Sequence, residues 1–322
     1  MDTIIGTDIA EAARFLQEGK CVAIPTETVY GLAANALDPA AVAQIFSIKN
    51  RPTFNPLIVH VRSFAEFEKY ATGISPLVKK LADAFTPGPL TFVLPKKDTV
   101  PDLVTAGGET VALRIPSHPL TLRLLESLPF PLAAPSANPF GYISPVTAQH
   151  VEQQLGDKIP YILDGGPCSV GVESTVITFE NDKVVVLRLG GVTVEAIEEL
   201  AGKTELRTGH SSSLHPIAIG SPGQMKSHYA PKHKLLLGDI EKHAAEHAGK
   251  NIGILSFRKK YPDAAYQVQL SESGNTDEAA RYLFSALRFL DACDIDLILA
   301  ERLPETGLGR AVNDRLERAA AE

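Results

Sequence analysis

Short apolar runs of three to six residues, each closed by a turn residue, alternate along this chain with segments of helical period, and that alternation confines it to an α/β fold. The runs fall at residues 21–24 (stopped by Pro25), 58–61, 91–94, 111–115, 132–134 and 161–163. Two more, 175–179 and 184–189, flank Glu180-Asn181-Asp182 and read as a hairpin, which makes the sheet mixed. Between runs, Asp8 and Glu11 form a capping-box-like start for a helix whose Ile9, Ala12, Ala13 and Leu16 share one face, with Gly19 just past its end. Helical patterns also cover 39–49 and 75–85, while 26–32 reads as a loop.

At 322 residues the chain exceeds one typical core, so two domains are expected. Residues 206–238 contain no Asp or Glu, carry four of the nine histidines, and mix Gly, Ser and Pro without period, as a linker does. The expected division is a first domain over 1–205, a linker or lid over 206–232, and a smaller α/β domain over 233–322. In the last, 252–257 and 295–300 read as strands, Asn275 and Glu278 cap a helix bearing Leu283, Phe284, Leu287 and Leu290, and 312–320 is helical.

A net charge of -7 argues against sequence-independent nucleic-acid binding by the whole molecule. Three scattered cysteines make neither a disulfide framework nor a four-cysteine zinc site. The first twenty residues carry Asp2, Asp8, Glu11 and Glu18 without an apolar signal region, and no run approaches the roughly 20 apolar residues of a membrane span, so a cytosolic location and no membrane partner are expected.

Chemistry gathers at the strand ends of the first domain. Lys49 and Arg51 place two cations one residue apart just before Asn55-Pro56-Leu57 and the run ending at His60; such a pair suits a polyphosphate, although a solvated surface would use the same residues. Arg114 lies inside an apolar strand, where a guanidinium requires an anion or an ion pair with Glu27 or Glu173. Ser136 and Asn138 sit between Pro135 and Pro139 as either a turn or a ligand loop, and Gly171-Val172-Glu173-Ser174 offers close backbone approach and a hydroxyl. No P-loop and no G-x-G-x-x-G motif is present, and no Ser-His-Asp order stands out.

These segments, in order, resemble the YrdC-like threonylcarbamoyl-AMP synthases: Pro25-Thr26-Glu27-Thr28-Val29-Tyr30-Gly31-Leu32, Lys49-x-Arg51-Pro52 with Asn55-Pro56-Leu57, Pro87-Gly88-Pro89, Leu113-Arg114-Ile115-Pro116, Pro135-Ser136-Ala137-Asn138 and Ser174-Thr175. The stretch Ser221-Pro222-Gly223-Gln224-Met225-Lys226-Ser227-His228-Tyr229-Ala230-Pro231 is similar to the linker of the longer, two-domain members, and the segment from Gly307 to Leu316 to their C-terminal helix, with Asp314 a departure that leaves the capping role of that tail open. The resemblance implies a YrdC-like twisted mixed sheet with flanking helices and a Rossmann-like C-terminal α/β domain. It also implies a nucleotidyltransferase, an L-threonylcarbamoyladenylate synthase, that joins L-threonine, bicarbonate or CO2 and ATP, releases pyrophosphate, and serves the tRNA threonylcarbamoyl-transfer machinery. Carried over by residue, Lys49, Arg51, Ser136 and Asn138 are catalytic. Thr28, His60, Arg114, Ala134 and Ser174 bind threonine. Arg51, Asn55, Thr110, Ser136, Ser144, Arg188 and Tyr229 bind ATP, with Mg²⁺ arriving on the nucleotide and Tyr229 closing over it. A weak tRNA contact is a further expected partnership, and two alternative readings stand beside this one: a module docking duplex RNA, and a carbamoyl-AMP-forming relative used in metallocentre assembly.

Overall fold

The computed structural model describes residues 3–208, 228–262 and 264–321. The expected lid over 206–232 lies mostly outside them, including its Ser221–Ser227 portion. The chain forms two units. One comprises Met1–Phe140, Pro145–Ser169 and Glu173–Gln224; the other takes Gly141–Ser144 and Val170–Val172 together with Met225–Glu322.

Strands of the first unit are, in chain order, Ile4–Gly6 (β1), Val22–Ile24 (β2), Gly31–Asn35 (β3), Ile58–His60 (β4), Leu90–Pro95 (β5), Thr110–Arg114 (β6), Leu132–Ala133 (β7), Tyr161–Leu163 (β8), Thr175–Glu180 (β9), Lys183–Arg188 (β10) and Glu205–Leu206 (β11). They make one mixed sheet in the order β1-β8-β2-β3-β7-β4-β6-β5-β9-β10-β11. The expected hairpin joins β9 to β10, and Asn181 and Asp182 both take positive φ (49° and 58°), the left-handed pair that a tight hairpin turn demands. Against one part of the sheet, helices Ile9–Gln17 and Pro119–Ser127 bury Ala12, Phe15, Leu16, Leu124 and Leu125 on Val22, Ile24, Ala33, Leu132 and Leu163. Each such large apolar side chain contributes roughly 1.5–3 kcal/mol. Capping follows the sequence: the Asp8 carboxylate accepts the Ala10 and Glu11 amides, and Gly19 takes φ +75° after the helix end.

Strands Lys234–Leu237 (β12), Ile252–Ser256 (β13), Tyr266–Gln269 (β14) and Leu297–Ala300 (β15) form the sheet of the second unit. Their order is β12-β15-β13-β14 and every pairing is parallel, the arrangement that helical crossovers generate in a Rossmann-like domain. Ile240, Ile254, Leu297 and Leu299 form a core on this sheet. Gly171 shows why small residues recur here: a Cβ on it would lie 2.4 Å from the Arg281 Cα, so the close backbone approach read from the sequence is made to a helix of this unit.

Asp314, the departure in the tail motif, has a structural task in helix Gly309–Ala320. It accepts from Arg315 Nη1 at 2.6 Å and from Arg318 Nε at 3.0 Å, and the two arginines are 0% and 2% exposed. Burial opposes ionisation of its carboxyl, but the charges of the two arginines and their hydrogen bonds together outweigh it and hold the group below the usual range. Asp314→Ala leaves two cations buried without that counter-ion and is expected to cost about 3–5 kcal/mol. Chemical denaturation followed by circular dichroism tests this: a loss under 1 kcal/mol, roughly the worth of a surface pair, would mean the cluster is solvated.

Candidate active site

One register row crosses the first sheet and gathers most of its buried polar groups. Leu132 of β7 pairs with His60 of β4, His60 with Arg114 of β6, Arg114 with Thr91 of β5, Thr91 with Val176 of β9, and Val176 with Arg188 of β10. Two residues along the same strands, Ile58, Ala112 and Val93 pack into an apolar layer with Val176 and Val185, and the period of two puts them on the face that carries His60, Arg114 and Thr91. The polar row therefore forms the border of an apolar layer.

Arg114 is 4% exposed. Its Nη2 donates to Glu27 Oε1 at 2.7 Å and to Thr28 Oγ1 at 3.0 Å, so the ion pair with Glu27 is formed. The other Glu27 oxygen accepts the Ser117 amide at 3.1 Å. Arg114 Nε is buried with no acceptor among the described residues, an expensive condition for a charged donor and one that a ligand oxygen relieves. His60 is buried beside it. Burial first, and then the Arg114 charge, push its imidazole from 6.5 down to about 3, so the ring is neutral at physiological pH. At the far side of the row Ser174 Oγ lies 2.8 Å from Thr91 Oγ1 and accepts from Arg188 Nη2 at 3.0 Å. Thr28, His60, Arg114 and Ser174 thus share one buried polar region, and Ala134 borders it, its amide donating to the Ile58 carbonyl at 3.0 Å.

A second group lies at the opposite ends of β4 and β6. Helix Pro39–Lys49 stops at Asn50, whose left-handed conformation (φ 51°) turns the chain so that the Arg51 amide bonds the Phe46 carbonyl at 2.9 Å. Lys49 is 1% exposed, and its ammonium donates to the Ser136 carbonyl at 2.6 Å and also to the Asn138 carbonyl. Burial, with the Arg51 charge second, holds Lys49 well below the ordinary lysine value. Arg51 donates from Nη2 to Asn55 Oδ1 at 2.7 Å and to the Pro56 carbonyl at 2.8 Å. That bond fixes the Asn55 amide with its Nδ2 buried and without an acceptor among the described residues. Both cations read from the sequence as facing phosphate are therefore engaged by the protein's own oxygens, and the donor they leave pointing inward is an amide.

The remaining expected residues are distributed as follows. Thr110 is exposed at the start of β6; carried two residues back from the Ile58–Ala112 pairing, the parallel register sets it opposite Pro56, in the Arg51–Asn55 group. Ser136 is half-buried and bridged to Gly31, and Asn138 Nδ2 donates to the Pro139 carbonyl at 2.8 Å. Ser144 and Tyr229 belong to the second unit. There the Ser144 carbonyl accepts from Arg288 Nε at 3.2 Å, and the Tyr229 ring stacks on Phe284 at 5.5 Å with the Arg315 guanidinium 5.3 Å from its centre. Thr91 and Ser117 are the site neighbours absent from the sequence reading; Thr91 carries a signal in retrospect, a hydroxyl at the head of an apolar strand after Pro87-Gly88-Pro89. Among the described residues no three His, Cys, Asp or Glu side chains are placed to hold a metal ion, and no helix is long and apolar enough to cross a membrane.

This fold and site define a two-domain α/β protein with a family model on each part: one described as Telomere recombination matches residues 14–190, and one described as threonylcarbamoyl-AMP synthase, C-terminal domain, matches 192–321. The threonylcarbamoyl-AMP synthase of Pyrococcus abyssi is 43% identical over 96% of this chain and 92% of its own length, and that of Bacillus subtilis 41% identical over 97% and 92%. The crystal structure of Pyrococcus abyssi Sua5 complexed with L-threonine superposes with a TM-score of 0.92 at 41% identity, covering 99% of this chain and 98% of that one. The chain belongs to the threonylcarbamoyl-AMP synthase family.

The neutral His60 makes folding sensitive to acid. Its folded value lies below its unfolded one, so the unfolded chain binds the proton first as pH falls, and stability drops between about pH 6.5 and about pH 3 at up to about 1.4 kcal/mol per unit. From pH 7 to pH 5 this residue alone removes about 2 kcal/mol, a component that His60→Gln lacks. Urea unfolding at both pH values, wild type against variant, measures the difference; equal losses in the two proteins would refute the assignment.

Proposed function

We propose that this chain synthesises L-threonylcarbamoyl-AMP from L-threonine, bicarbonate and ATP with release of pyrophosphate, as a cytosolic nucleotidyltransferase that feeds the threonylcarbamoyl modification of tRNA. One observation carries the reading: among the described residues the buried Arg114 Nε has no acceptor, and it stands beside a neutral imidazole and a row of hydroxyls, in a chain whose relative was crystallised with L-threonine. A guanidinium already pinned on one side by Glu27 offers its Nε–H to a carboxylate, and Thr28, His60 and Ser174 supply short polar contacts for a small hydroxylated side chain.

In the reaction the threonine nitrogen takes up the carbon of bicarbonate with loss of water. An oxygen of the resulting carbamate attacks the α-phosphorus, a new P–O bond forms, and the bond to pyrophosphate breaks. This chemistry asks for positioning and charge neutralisation more than for a protein nucleophile. Asn55 and Arg51 would hold phosphate oxygens, with Thr110 and Ser136 beside them. Lys49 would hold the Ser136–Asn138 loop through its two carbonyls. The donors gathered at this end are amide, hydroxyl and cationic groups, which suit phosphate oxygens, so Mg²⁺ would arrive on ATP; when bound it neutralises charge on the phosphates.

Incubating the protein with ATP, Mg²⁺, bicarbonate and a panel of amino acids, followed by mass spectrometry of the adenylates, should give threonylcarbamoyl-AMP and no other amino-acid product of comparable yield. A different adenylate, or none, overturns the activity. Lys49→Met should lower threonine-dependent pyrophosphate release by about 100-fold or more while changing threonine affinity less than about threefold, because the loop it staples serves the nucleotide end. Equal loss of both would place Lys49 with the amino acid instead.

A further inference from the structure

Glu27 has no assigned contact with substrate in the proposed reaction, yet it is the carboxylate that pairs with the guanidinium whose Nε has no acceptor among the described residues. It is 6% exposed, and among the described residues each of its oxygens has one protein donor, Arg114 Nη2 and the Ser117 amide, about half of the roughly four bonds a carboxylate can accept. Charge accounting around the pocket gives this residue a consequence. The Arg114 cation is matched by Glu27, the His60 beside it is neutral, and burial pushes the Cys168 thiol up so that it is neutral as well, while Arg188, which bonds Ser174, keeps its charge whatever stands at position 27. The sum over Arg114, Glu27, His60 and Cys168 is zero. A buried region of zero net charge accepts a ligand whose own charges cancel and resists one that brings a single uncompensated charge.

We infer that Glu27 is a specificity-determining residue that makes the amino-acid pocket select a zwitterion, rejecting acids that carry the carboxylate without the ammonium. The inference rests on the proposed threonine site. Glu27 does two things at once: it fixes the guanidinium that faces the carboxylate, and it supplies the negative charge that balances the substrate's ammonium. Without it Arg114 would be a bare cation and the pocket a general carboxylate trap. Hydroxy acids of similar shape would then compete with the amino acid, an occupation that leads to no product because they lack the nitrogen to be carboxylated.

Isothermal calorimetry with the full chain, without ATP, compares L-threonine with 3-hydroxybutanoate, which is threonine lacking its ammonium. The wild type should bind threonine at least about tenfold more tightly; Glu27→Gln should shrink that ratio by about tenfold, weakening threonine and strengthening the hydroxy acid; Glu27→Asp, which keeps the charge, should hold the ratio within about threefold. A Glu27→Gln protein that weakens both ligands equally overturns the inference, since that is what a merely structural ion pair predicts. If that variant does not fold, the wild-type ratio decides alone, and a value below about tenfold overturns it. Absence of threonine binding to the wild type strikes instead at the proposed function, which the adenylate experiment tests separately.

Discussion

Burial of the Arg114 guanidinium is the constraint around which the first unit's polar region is organised. Taking such a cation out of water costs several kcal/mol even after relaxation, and its partner must follow it inside. The pairing with Glu27 returns part of that cost only because the other end of the carboxylate is also satisfied, by the Ser117 amide. The loop holding Glu27 is in turn closed by its own hydroxyls: Thr26 Oγ1 lies 2.8 Å from Thr28 Oγ1, accepts the Val29 amide at 3.2 Å, and donates to the Val29 carbonyl at 2.6 Å. The neighbouring His60 is kept neutral first by its own burial and then by the Arg114 charge, since two cations side by side at this depth would repel with little water between them. The geometry of a turn, the charge of a strand residue and the neutrality of a histidine are thus one electrostatic solution.

The opposite ends of β4 and β6 solve a different problem with the same means. Positions Pro56 and His60 are four residues apart on an extended chain, about 13 Å, so the two polar groups lie at the two ends of one pair of strands. There the cations act on the protein itself. Lys49 ties the end of its helix to the carbonyls of Ser136 and Asn138, and Arg51 fixes the Asn55 amide by occupying its oxygen. An amide held in one orientation by a guanidinium is a preorganised donor: its nitrogen needs no reorientation to meet an incoming oxygen. Asn50 makes this possible, because its left-handed turn is what lets Lys49 and Arg51 stand on either side of a reversal in the chain.

Much of the architecture is legible in the sequence wherever a local signal is strong. Helix Pro39–Lys49 is bounded as its pattern says, by an Asp38 cap with proline at the first turn and a left-handed residue at the end. Tyr161–Leu163 and the β9–β10 hairpin follow from apolar runs and turn residues. The missed elements lack those signals. Strand β3, Gly-Leu-Ala-Ala-Asn, contains no β-branched or aromatic residue and takes its conformation from the antiparallel partners on both sides. Strand β14, Tyr-Gln-Val-Gln, does alternate, but at four half-exposed residues it is too short for that alternation to stand out. At the site, residue types were legible and partners were not. A lysine and an arginine one residue apart say nothing about the carbonyls 85 or more positions away that engage one of them, as the Lys49–Ser136 separation of 87 shows. Likewise the alternatives for Arg114, an anion or an ion pair, are decided by which loop the fold brings beside β6.

Tyr229 joins these arguments from the second unit. It takes φ +64°, a region that costs a residue with a Cβ roughly 1–2 kcal/mol, and it does so at 1% exposure. Burial of its ring against Phe284, with His228 edge-on at 4.2 Å and Arg315 over the face, is of the size needed to offset that strain. The His228 amide donates to the Arg318 carbonyl at 3.2 Å and the Ala230 amide to that of Gly141 at 2.9 Å, so backbone bonds hold the chain on either side of the strained residue. Arg315 is paired in its burial with Asp314, the residue that set this tail apart as a sequence. The acid therefore supports, through one guanidinium, the seat of the tyrosine, which is a more specific task than closing a helix end.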